Sequence, residues 1–421
     1  MKLNISILSS LLFLAVFILP IKPEFTTIPF VLITIYWLIS CFQHKTVFNK
    51  GNIKILLFTT STFIVGVLGL INTNNFPAAT FELSRTLPIF LLPFILFTFK
   101  QGFTNKQISF IISGFVLGSL IKTLFILLIA IIKFKNTGSF DYFFYTALLR
   151  ETGSFSYYLV LAYYLILFVL YKKNVFLKKI NLKVQTIILV FSLFLFSVVI
   201  ILLQTKSVII YFYLINVFFF ILYIKRQEGR LLLYTLILCS VFMLKFSTEM
   251  RFIDFFKTEK TKVEQKHAVL PVKKEQSMES TSLRINSIKT TIAIIKENIL
   301  LGVGTGDLTD EMTKKYEQLG YIYNLKEQTN PHNQYLRTFG KNGILGVLAL
   351  IAFFIFNFYS WLKTKSSIML AFNLTILLCC MTNDLFDTGG GAPFIGLLFP
   401  LIYLWSETFT MTDNETVLQE V

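Results

Sequence analysis

Apolar residues fill most of this chain in long blocks, separated by short polar connections. A helix needs ~20 mostly apolar residues to cross a hydrocarbon core. Twelve blocks fit, at about 4–21, 25–42, 53–71, 80–99, 107–133, 153–171, 185–203, 207–224, 231–247, 343–362, 367–382 and 391–406. The run at 107–133 is long enough to tilt, or to bend at Gly114 and Gly118. One stretch, about 248–342, breaks the pattern as the only long hydrophilic segment. The pattern predicts an all-α polytopic bundle of about twelve spans: nine over 1–247, a large loop over 248–342, three over 343–406 and a polar tail at 407–421.

The loop divides in two. Residues 254–282 are rich in Lys, Glu, Ser and Thr, a composition expected to stay flexible or disordered. Residues 283–300 place Ile285, Ile288, Ile292, Ile295 and Leu300 at helical spacing, which predicts an amphipathic helix on the membrane face of the bundle. Gly302-Val303-Gly304-Thr305-Gly306 ends it, and Leu308–Gln318 reads as another short helix.

Charge then orients the spans. Only 15% of residues are charged, against ~25% in soluble domains. The net charge of +16 comes from lysines and arginines in short loops, which is a membrane-orienting pattern and leaves no stripe for nucleic acid. Alternate connections hold Lys45/Lys50/Lys54, Lys100/Lys106, Lys172/Lys173/Lys178/Lys179/Lys183, Lys225/Arg226/Arg230 and Lys363/Lys365. The intervening ones are nearly uncharged or, as at Asn383–Asp387, acidic. Basic loops face inward. Both termini are therefore expected in the cytoplasm, with the large loop facing the periplasm or cell exterior. Lys2 precedes an apolar run without a small-x-small cleavage site, so that run is expected to remain as the first helix. Cys41, Cys239, Cys379 and Cys380 all fall in apolar runs and read as core residues.

The candidate chemistry gathers where the loop runs back into the apolar block, in Asn330-Pro331-His332-Asn333-Gln334-Tyr335-Leu336-Arg337. Asn330 suits an N-cap and Pro331 the first helical position, which would put His332 and Asn333 in the first turn. Free N–H groups there favour an anion, and an imidazole titrating near neutrality is a candidate proton acceptor. The plainer alternative is a capping segment whose histidine bonds a neighbouring loop. Arg284 opens the amphipathic helix and could grip a diphosphate in bidentate fashion, or simply snorkel at the interface. Lys206 lies in a short outer connection, where cations are otherwise scarce. Glu82 and Arg85, three residues apart near the outer end of the fourth block, suggest an ion pair within the membrane. There is no Gly-Lys-Ser/Thr phosphate loop, no Asp-x-Asp and no carboxylate pair at metal-ligand spacing. No metal or cofactor is expected, and a pre-activated donor is the simpler energy source.

Taken together, these features resemble the O-antigen ligase / O-antigen polymerase superfamily of bacterial envelope membrane proteins. Four of them carry the resemblance: the large loop before the last helices, Pro331-His332-Asn333-Gln334-Tyr335-Leu336 followed by Gly343-Ile344-Leu345-Gly346, the Arg284-led helix ending at Gly302-Val303-Gly304, and Thr205-Lys206 where the family commonly has Ser-Arg. The resemblance implies a glycan donor on undecaprenyl diphosphate and an acceptor hydroxyl on lipid A core. His332 would be the base in a metal-independent, inverting transfer, with Asn333 and Arg85 in support. Arg284 and Lys206 would hold the diphosphate, with Arg337 a possible substitute for the guanidinium fork that Lys206 lacks. A polymerase would share the donor and extend a growing glycan. A lipid-linked oligosaccharide transporter is the non-enzymatic alternative, and the absence of two related halves disfavours it.

Overall fold

The computed structural model describes residues 5–43, 53–98, 103–144, 152–171, 181–223, 225, 227–245 and 280–419. Every regular element among them is helical. Among the described residues, nine α-helices precede position 280: α1 Ile5–Ile21, α2 Thr27–Gln43, α3 Ile53–Leu68, α4 Phe76–Thr98, α5 Asn105–Thr137, α6 Thr152–Tyr171, α7 Leu182–Leu202, α8 Lys206–Tyr223 and α9 Gln227–Lys245. Then come α10 Ser280–Glu297, α11 Leu308–Gln318, α12 Ile322–Glu327, α13 Gln334–Thr364, α14 Ser367–Cys379 and α15 Gly391–Gln419.

Each of the twelve apolar blocks contains a helix. Among the described residues, six helices are long and apolar enough to cross a membrane, and five more are apolar over 10–17 residues. Of the flexible stretch expected at 254–282, residues up to 279 lie outside the described residues, and the last three begin α10. Several of the orienting basic residues, among them Lys45, Lys50, Lys100 and Lys172, also lie outside them.

The chain forms two compact units, Met1–Gly114 with Ser277–Val421, and Phe115–Gln276. In the first unit α4 packs on α15 and α3, and α3 packs on α13. In the second, α6 lies on α7, α8 on α9, and α7 on α9.

The elements that position the site belong to the first unit. α11 buries Leu308, Met312 and Tyr316 against Ile294 of α10, which gives the loop a small core of its own. The buried side chains of α10 are Ser287, Thr290, Thr291, Ile294 and Ile295. Of the residues expected to share one apolar face, Ile295 is buried and Ile288 half-buried, whereas Ile285, Ile292 and Leu300 are exposed. Small side chains let α10 approach α13 closely at Gly340, where an added Cβ would stand 2.9 Å from Leu308 and 3.6 Å from Thr291. Ser287, Tyr316, Asn324 and Thr329 then share hydrogen bonds of 2.8–3.2 Å, which fasten the segment leading into Asn330.

Gly343 divides α13. Its φ of 59° and ψ of −151° break the helical ladder. The carbonyls of Gly340 and Lys341, released from their i+4 partners, accept from Val303 and Gly304 N–H at 2.9 Å. The Ile344 N–H donates to Ile299 instead, at 3.0 Å. A side chain at 343 is excluded twice, by the left-handed backbone and by the Leu300 carbonyl against which a Cβ would lie. The turn at Gly302–Gly304 is stitched onward by Asn72 Nδ2 to the Gly302 carbonyl at 3.1 Å. Asp307 accepts from the Asn74 and Asn75 N–H groups, both at 2.7 Å, just ahead of α4.

Candidate functional site

The helix that carries the His-Asn motif starts later than its sequence suggests. Asn333, not Asn330, is the N-cap of α13, accepting from Leu336 N–H at 3.0 Å. His332 therefore precedes the helix, and neither it nor Asn333 lies in the first turn. Asn330 misleads because Pro331, buried ahead of His332, fits a helix start equally well from sequence alone. His332 sits at φ 46°, a left-handed conformation that costs a non-glycine residue about 1–2 kcal/mol. Its neighbours hold it there: Asn333 Nδ2 donates to the Met381 carbonyl at 3.0 Å, and Gln334 N–H to Cys380 at 2.8 Å.

His332 presents surface to solvent while protein packs around part of it, and three charged groups lie close enough to bias its titration. Burial by surrounding protein holds His332 below its ordinary range, Asp384 opposes that, and Arg284 and Arg337 reinforce it. Asp384 is only 6% exposed, and burial lifts its carboxyl above the usual range against the pull of Arg337 and His332. The structure thus brings Arg284, His332 and Arg337 into one region and adds Asp384.

Arg337 faces inward rather than toward a solvent-borne ligand. It is 7% exposed. Its guanidinium meets Glu82 at 2.7 Å, Asp387 at 3.2 Å and Asp384 at 3.6 Å. Lys341, one turn later on the same face, pairs with Glu82 and lies 2.9 Å from Asp387. Gln334 ties the cluster together, donating to Asp387 at 2.9 Å and accepting from Phe386 N–H at 2.8 Å. Burial alone would raise the Asp387 carboxyl, but Lys341 and Arg337 outweigh it and hold it down at about 2. Two cations face three carboxylates, so the cluster as a whole is anionic. A cavity of about 30 Å³ lined by Glu82, Thr305, Gln334, Lys341 and Asp387 adjoins it, large enough for ordered water.

The ion pair read between Glu82 and Arg85 is replaced by these contacts. Glu82 turns to Arg337 and Lys341, whereas exposed Arg85 lies 4.1 Å over the Phe81 ring. Arg284 is exposed on α10. Lys206, the exposed first residue of α8, belongs to the other compact unit. Among the described residues no group of three or more His, Cys, Asp or Glu side chains is arranged to hold a metal ion. Sequence reasoning missed Asp384, Asp387 and Lys341; its one available signal was the pair of aspartates, three apart, in an otherwise apolar connection.

Residues 191–351 match the Wzy_C family, described as O-Antigen ligase. The chain resembles the O-antigen ligase superfamily. The matched stretch runs from α7 into α13 and includes Lys206, Arg284, His332, Arg337 and Lys341. Glu82, Asp384 and Asp387, which complete the buried cluster, lie outside it. No curated protein matches the chain. The match agrees with the resemblance read from the sequence, and six helices among the described residues are long and apolar enough to cross a membrane.

Proposed function

We propose that this protein transfers a polysaccharide from undecaprenyl diphosphate to a hydroxyl of lipid A core, at the periplasmic face of a bacterial inner membrane. His332 takes the proton of the acceptor hydroxyl. The oxygen attacks the anomeric carbon from the face opposite the carrier, the glycosyl–oxygen bond to the diphosphate breaks, and configuration inverts. The products are the glycosylated acceptor, free carrier diphosphate and a proton on His332, so the step needs no metal or redox partner. Arg284 holds the diphosphate as a bidentate donor. Asp384 steadies the imidazolium as it forms, and Arg337 fixes Asp384 from beneath.

The observation that supports this reading best is an exposed histidine in a strained backbone conformation, kept neutral by its surroundings and backed by a buried carboxylate. A residue held away from its preferred conformation beside converging charges marks a functional site more often than a structural one. The deciding experiment is a gel of lipopolysaccharide and carrier-linked glycan from cells lacking the gene. Full-length polysaccharide stranded on the carrier, with bare core, is expected. Single repeat units on core would assign polymerisation instead, and an unchanged profile would remove both assignments.

The pH dependence follows from the charges around His332. A lowered imidazole pKa keeps the base neutral to lower pH, so the acid limb of the transfer rate should fall below the ordinary histidine range of about 6.5. Arg284→Gln removes a lowering influence and should move that limb to higher pH. Asp384→Asn removes the raising influence and should move it lower. Rate–pH profiles at saturating donor compare the three proteins; shifts in the same direction would mean that another group titrates.

A further inference from the structure

α10 is turned the wrong way round for a helix of a water-exposed loop. A helix that packs on protein normally aims its apolar stripe inward and its polar one at water. Here the buried side chains include Ser287, Thr290 and Thr291, whereas Ile285 and Ile292 face out together with Lys289 and Lys296. At 100° per residue these four outward side chains fall within an arc of about 60°. The stripe therefore runs Ile-Lys-Ile-Lys along the helix. The turn after it adds Ile299, Leu300 and Leu301, each at least half exposed.

The stripe is continuous with the apolar outer surface of α13. The Ile344 N–H donates to the Ile299 carbonyl at 3.0 Å, which sets the end of the stripe against the start of the apolar stretch of that helix. Ile344, Leu345 and Leu348 are exposed there, on a helix long and apolar enough to cross a membrane. The charge of the stripe has one sign. Glu297 is the only acidic residue of α10, and it turns to Lys315 on α11. Isoleucine alternating with lysine suits the level where acyl chains meet phosphate: the branched side chains enter the apolar layer and the ammoniums snorkel up to headgroups. We propose that the Ile285–Lys296 stripe of α10 docks on anionic phospholipids of the leaflet that surrounds α13. A sheet of such headgroups meets every lysine at once and attracts each of them. Docking would also hold Arg284, on the flank of the same helix, at headgroup depth.

The test uses full-length protein in nanodiscs of acyl-brominated phosphatidylcholine, alone or mixed with phosphatidylglycerol. Ile292→Trp places a fluorescent reporter in the stripe, and the unsubstituted protein supplies the background of the native tryptophans. Bromine should quench the reporter in the mixed discs, and less without phosphatidylglycerol. Lys289→Gln with Lys296→Gln, added to the reporter, should lower the docked-to-undocked ratio about fivefold per lysine, the worth of one cation near an anionic surface. No quenching in either disc would overturn the proposal and leave the stripe to a protein partner. Quenching indifferent both to phosphatidylglycerol and to the lysines would overturn it as well, by making the contact purely apolar. The readout needs no glycan transfer, so this surface stands or falls apart from the function proposed above.

Discussion

Replacing His332 should lower glycan transfer by about 10²–10⁴-fold, the usual worth of a positioned proton acceptor. Two variants separate chemistry from backbone strain. His332→Ala removes the imidazole but places alanine at φ 46°, a conformation it adopts at a cost. His332→Asn also removes the base, yet asparagine tolerates the left-handed region well. Both should lose transfer, and His332→Asn should insert, purify and melt like the wild type. Transfer assays with carrier-linked glycan, paired with thermal unfolding in detergent, give the comparison. Near-normal transfer by His332→Asn would remove this histidine from the reaction.

The second large effect is on stability. Asp387→Ala should destabilise the protein by about 3–5 kcal/mol, the usual penalty for stranding a buried charge. Asp387 accepts from Lys341 and Gln334 and forms an ion pair with Arg337, so its loss leaves two buried cations competing for Glu82 and Asp384. Removing charges in pairs should hurt less than removing one. Asp387→Leu combined with Lys341→Met leaves Arg337 with Glu82 and Asp384, and is expected to recover much of the lost stability. Thermal unfolding of the singles and the double makes the cycle. A double variant as unstable as the sum of the singles would mean that the two side chains act independently.

The fold was largely legible because its main signal is local. Each apolar block of helical length contains a helix, although only six helices among the described residues are long and apolar enough to cross a membrane, and the short run at Leu308–Gln318 announced α11. What the sequence concealed depends on partners distant in the chain. Glu82 finds Arg337 from 255 residues away, and Asp387 finds Lys341 from 46. Neighbour spacing could only offer Glu82 the nearby Arg85. The face of α10 was read only in part, for a different reason. Hydrophobic periodicity says which side of a helix is apolar, not whether that side meets protein, and here Ser287, Thr290 and Thr291 pack beside Ile294 and Ile295. His332 was identified from its setting at the end of the polar loop; its exclusion from the helix depended on which of two asparagines caps α13, and both fit the rules.

The exchange of hydrogen bonds at Gly343 has a geometric consequence for His332. The helical piece between them is fixed at its lower end by the Ile299–Gly304 loop and at its upper end by the carbonyls of Cys380 and Met381. It behaves as a strut of set length and set rotation. One residue more or less within it would turn one end against the other by about 100° and shift it by about 1.5 Å. The number of residues from His332 to Gly343 is thus a mechanical dimension of the site, and it sets the bearing of the imidazole as firmly as any side chain that touches it.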